Sequence, residues 1–67
     1  MNKDYIGLKD EIASIKCFDD WHDRAFGISC AINEIGQFFG FGDNVEESIR
    51  NELDLRDLLR EKAKLYE

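Results

Sequence analysis

The sequence predicts an all-α fold, a single domain of three helices, and three observations carry that reading. Apolar residues recur at helical spacing in three separate stretches, proline is absent, and a glycine-containing turn divides the last two stretches. The 43% hydrophobic and 36% charged residues are those of a folded chain, with enough large apolar side chains to oppose chain entropy. At 67 residues there is room for one domain, of marginal stability unless a partner, a metal or a disulfide helps.

The first helix is predicted over residues 3–17, where Tyr5, Leu8, Ile12 and Ile15 share a face and Gly7 is the weak point. It does not continue into the next stretch, because a single rod would put the two apolar stripes on opposite sides. Phe18, Asp19 and Asp20 supply the break, and either aspartate can cap the second helix.

That second helix, predicted over 20–39, is the expected centre of the core. Trp21, Ala25, Ile28, Ile32, Ile35 and Phe39 fall within about 80° of arc at about 100° per residue. Gly40 is the expected left-handed residue that ends it, and Phe41 can fold back onto Ile35.

Helix three is predicted over 44–66, with Asp43 or Asn44 as its cap and Glu46 or Glu47 completing a capping box. Its stripe is irregular. Val45, Ile49 and Leu53 share one face, whereas Leu55, Leu59, Ala63 and Tyr66 gather about 80° away. The expectation is a long helix over-supplied with leucine in its second half, with a bend near Glu52 to Asp54 as the other solution.

No constellation of residues performs chemistry. Asp19, Asp20, His22 and Asp23 form the one metal-capable cluster, but adjacent ligands diverge on a helix and there is no second histidine, so no metal and no other cofactor is expected. Gly40 to Asn44 lacks the lysine and the serine or threonine of a phosphate loop. Cys17 and Cys30 lie in acidic surroundings, with a predicted separation too large for an internal disulfide. They are read as free thiols, small core or interface residues rather than nucleophiles. The basic run Arg56, Arg60, Lys62 and Lys64 complements a helix dipole.

A net charge of −6 disfavours direct binding to nucleic acid, whose phosphates are met by Lys and Arg. No apolar run reaches membrane-spanning length and no secretory signal is legible, so a cytoplasmic setting is expected. The reading is a small acidic non-enzymatic interaction protein: an inhibitor, adaptor or regulatory subunit that binds a larger protein. One specific form is a phage or mobile-element inhibitor whose carboxylates compete for a basic nucleic-acid-binding site. Two groups of residues are expected to meet partners. The apolar group is Phe26 and Cys30, off the main stripe of helix two, with Leu58 and Leu65 on helix three, where a homodimer would form. The acidic group is Asp19, Asp20, Asp23, Asp43, Glu46 and Glu47. The alternative is a helix-turn-helix or antitoxin-like regulator, although a recognition helix beginning with acids meets phosphates with the wrong sign.

Overall fold

The computed structural model describes residues 2–66. Helix α1, Lys3–Ala13, begins where the side chain of Asn2 accepts the amide of Tyr5 at 2.9 Å. It stops four residues short of the predicted end, with Ser14 as its last half-helical residue. Ile15 therefore lies outside the helix, yet it is fully buried. Its carbonyl accepts from Lys62 Nζ at 2.9 Å, so a cation from the far end of the chain ties down the first turn.

Helix α2, Phe18–Gln37, starts two residues earlier than predicted. Its cap is the extended backbone of Cys17 rather than an aspartate side chain, and Asp19 and Asp20 sit in the first turn, where their charge suits the helix N-terminus. Ile28 and Ile32 are buried as the seam requires, and Trp21 and Ile35 are half-buried against them. The indole N–H of Trp21 is enclosed without an acceptor. Phe39, the last residue of the predicted seam, lies beyond the helix and is 47% exposed.

The end of α2 departs from expectation in an informative way. The amide of Phe39 donates to Gly36 O and that of Gly40 to Ile35 O, both at 3.0 Å, the paired bonds of a Schellman turn. The left-handed position of that turn is Phe39, with φ 55°, and Gly40 has no positive φ. Gly40 is required for space instead: a Cβ there would come within 2.7 Å of Ile35 Cγ2.

The chain then buries Phe41 completely. A phenylalanine backbone in a core leaves two polar groups to satisfy, and α3 satisfies both. Ser48 Oγ accepts the Phe41 amide at 3.1 Å, and Asn51 Nδ2 donates to its carbonyl at 2.7 Å. Asn2 adds a third tie, donating to Gly40 O at 2.9 Å.

Helix α3, Val45–Leu65, is capped by Asn44, whose side chain accepts the Glu47 amide at 2.8 Å. It is continuous through Glu52 to Asp54. α3 lies against both other helices, and α1 and α2 touch each other least, so the bundle is organised around α3 rather than around α2 as the seam predicts. Tyr5 on α1 donates its hydroxyl to Asp54 on α3 at 2.5 Å. That bond, then burial, then the charge of Asp54 hold the phenol above its ordinary pKa of 10.0. Among the described residues no helix is long and apolar enough to cross a membrane.

Candidate interaction surface

Two side-chain contacts set the register between α2 and α3. Arg56 donates to the side chain of Asn33, and Glu52 lies against Gly36, where even a Cβ would not fit. The two helices therefore run antiparallel side by side, and in this register Ile49 falls level with Phe39. Arg56 is seven residues beyond Ile49, within about 20° on the helix, so Ile49 sits on the side of α3 that borders α2.

From that side outward, Val45, Ile49 and Leu53 are each about half exposed, at 52%, 47% and 57%. They recur every four residues and form one ridge, which resolves the irregular stripe of the sequence. The face made by Ser48 and Leu55 enters the core, and the ridge stays outside it. Phe38, 77% exposed, and Phe39 stand at the end of α2, with Phe38 about 160° around the helix from Gly36 and so turned away from α3. Three large apolar side chains on one exposed helix face form a surface of the kind that marks a binding site.

Phe39 adds an independent sign. The left-handed region is disfavoured for a residue with a Cβ, by about 1 kcal/mol or more, and glycine normally occupies this position of the turn. Here the strained residue is a large aromatic that directs half its surface to solvent, a combination that weakens the fold locally.

The electrostatics of this end are one-sided. Residues 33–57 carry seven carboxylates and two arginines, which accounts for most of the net charge of −6. Both arginines are occupied: Arg50 pairs with Glu46 at 3.7 Å and Arg56 with Glu52 at 3.1 Å. Among the described residues Glu34 and Asp43 have no cationic group within 4.0 Å. The acids that flank the ridge on α3, Glu46, Glu52 and Asp57, are each paired with an arginine, whereas Glu47 and Asp54 lie on the side of α3 that meets α1.

The residues singled out from the sequence are distributed otherwise. Phe26 is 79% exposed and Cys30 is exposed, so neither contributes to the core, and Cys17 is exposed as well. Phe26 shares the α2 face of Asn33, seven residues on, but lies nearer the opposite end of the bundle. Leu58 packs against the core, whereas Leu65 is exposed, and together they line a cleft of about 250 Å³ with Lys9, Ile12 and Lys62. Because Leu58 is already engaged, a pair formed through Leu58 and Leu65 has less free apolar area than the sequence predicts.

The six predicted acids divide between two places. Asp19, Asp20 and Asp23 stand at the start of α2, with Asp20 held by Arg24 at 3.1 Å. Asp43, Glu46 and Glu47 stand at the α2–α3 turn, about a 20-residue helix length of 30 Å away. They do not form one surface. Phe38, Phe39, Val45, Ile49 and Leu53 are absent from the partner residues that the sequence predicts, and the signal that could have found them is the displaced stripe of helix three.

Among the described residues no three His, Cys, Asp or Glu side chains gather as a metal site. His22 is stacked on Phe18 with ring centroids 5.9 Å apart. Compared with protein-family models, curated proteins and solved structures, the chain matches none.

Proposed function

We propose that this is a non-enzymatic interaction protein that docks onto a larger protein through the end of the bundle formed by the α2–α3 turn and the first half of α3. The observation that carries the reading is the exposed ridge of Val45, Ile49 and Leu53, in the segment of the chain that holds most of its net negative charge. Exposed apolar area of this kind opposes solubility, and the net charge of −6 offsets that tendency until a partner covers it. An inhibitor or adaptor acting in the cytoplasm on a protein with a basic site, including a mobile-element inhibitor of a nucleic-acid-binding protein, fits this surface.

The helix-turn-helix reading fits less well. That motif crosses its two helices at a wide angle, whereas α2 and α3 lie alongside one another from Trp21 and Ala63 at one end to Gly36 and Glu52 at the other. The first turn of α3 also presents Glu46 and Glu47, which repel phosphate.

Affinity capture from the native host tests the proposal with three baits: the natural chain, Ile49→Ser combined with Leu53→Ser, and Phe26→Ser. The expected result is a protein retained by the first and third baits and lost from the second. Equal recovery of every bound protein on all three baits overturns the docking site.

A further inference from the structure

We infer that the cleft between α2 and the second half of α3 binds a small organic carboxylate with an apolar body. The inference does not depend on the docking surface proposed above.

The cleft has a volume of about 290 Å³, and in its wall Trp21, Ser29 and Ile32 of α2 stand opposite Arg56, Leu59 and Arg60 of α3. Each polar side chain there can donate a hydrogen bond: the indole of Trp21, the hydroxyl of Ser29 and the two guanidinium groups. Among the described residues no carboxylate lines this cleft, whereas four other clefts of the bundle each have a glutamate in the wall. The local lining therefore favours an anion in this place alone among the five.

The arginines have donors to spare. Arg56 gives its Nε and Nη2 groups to Glu52 and Asn33, and Arg60 gives Nη1 to Asp57 at 3.4 Å. Among the described residues Arg56 Nη1 and Arg60 Nε and Nη2 have no acceptor. The pair of Arg60 with Asp57 is about two-thirds exposed and weakly held, so Arg60 can turn to a ligand. The indole N–H of Trp21 is a second and independent sign. It is enclosed beside the cleft with no acceptor among the described residues, an unmet donor that a ligand oxygen satisfies.

The apolar part of the wall, Trp21, Ile32 and Leu59, sets the rest of the ligand. A cavity of about 150 Å³ takes benzene, so about 290 Å³ has room for an aromatic ring with a carboxylate on a short arm. A planar carboxylate matches the guanidinium fork, and a chain of net charge −6 opposes a doubly charged anion more than a singly charged one.

Titration of the full chain with phenylacetate tests the inference, with phenylacetamide and phenyl phosphate as comparison ligands. The fluorescence and the indole N–H resonance of Trp21, the one tryptophan of the chain, report on the cleft. Phenylacetate is expected to bind about tenfold more tightly than the uncharged amide, to shift the indole resonance, and to lose about tenfold in affinity against Arg60→Gln. Arg50→Gln removes an exposed arginine of α3 that lies outside the cleft, and affinity should be retained. Equal binding of phenylacetamide removes the carboxylate, and tighter binding of phenyl phosphate replaces it with a phosphate. An indole resonance unmoved at saturation places the ligand elsewhere. Equal losses in the two arginine variants reduce the effect to overall charge, and the absence of saturable binding overturns the site.

Discussion

Helix α3 has two apolar faces that meet different fates. The face of Ser48 and Leu55 is enclosed by α1, α2 and the inserted Phe41, and every backbone polar group that Phe41 brings inside is met by an α3 side chain. The face of Val45, Ile49 and Leu53 is the more apolar of the two and also recurs at helical spacing, yet it stays half in water. The contrast separates two causes of apolar patterning that look alike in a sequence: a stripe can exist because the fold needs it or because a partner does.

The strongest expected effect lies on the enclosed face. Phe41→Ala should lower unfolding free energy by about 3 to 5 kcal/mol, since it removes a fully buried aromatic and leaves a cavity in the core cluster to which Ile12, Ile32 and Leu55 also belong. Urea melts measure it. A loss under about 1 kcal/mol would mean that the turn, and with it the distinction between the two faces, is misplaced.

Next in size is the tie between α1 and the opposite flank of α3. Tyr5→Phe should cost about 1 kcal/mol near neutral pH, a hydrogen bond to a carboxylate discounted for partial exposure. The bond also has a pH signature. Because the phenol is raised in the folded protein, the unfolded chain ionises first. The contribution is therefore complete below pH 10.0 and is lost as pH rises from there through the folded value. Stability of the natural protein should fall more steeply above pH 10 than that of Tyr5→Phe; parallel curves would detach Tyr5 from Asp54.

Both effects trace to residues whose roles differ in how far the chain itself reveals them. Three helices are legible because Ile12, Ile28, Ile32 and Leu55 keep helical spacing and because Asn44 marks a start, features that act within a few residues. Phe41 and Ile15 are harder. Both are buried outside helices, and their place depends on Ser48, Asn51 and Lys62, which are distant in sequence or have ordinary polar side chains. Glycine is the usual left-handed residue after a helix, which points to Gly40, but the turn closes one residue earlier. As for the surface, the displaced stripe of α3 is visible in the sequence; which of its two faces is covered is not, because that depends on where α1 and α2 lie.

Phe39 allows the cost of the exposed surface to be isolated. Both Phe39→Ala and Phe39→Gly remove the aromatic ring, so their difference reports the backbone alone. With φ at 55° the glycine variant should be the more stable, by about 1 kcal/mol, although glycine is ordinarily the more costly residue in a folded chain. The reverse order in paired melts would mean that position 39 is not held left-handed, and the sign of strain at the surface would disappear.

The smallest expected effect is the one on which the comparison depends. Ile49→Ser combined with Leu53→Ser removes two large aliphatic side chains from the first half of a helix that holds the bundle together, a change that would unfold a protein of this size if they were core. On the exposed face neither side chain leaves a cavity, serine is only modestly poorer than isoleucine or leucine in a helix, and each residue already has about half its surface in water. The double variant should therefore melt within about 1 kcal/mol of the natural protein and keep its helical circular dichroism, while precipitating less readily on concentration because the patch is gone. A loss of several kcal/mol would show that Val45, Ile49 and Leu53 are structural, and the surface would then have to be sought at Phe26 and Cys30.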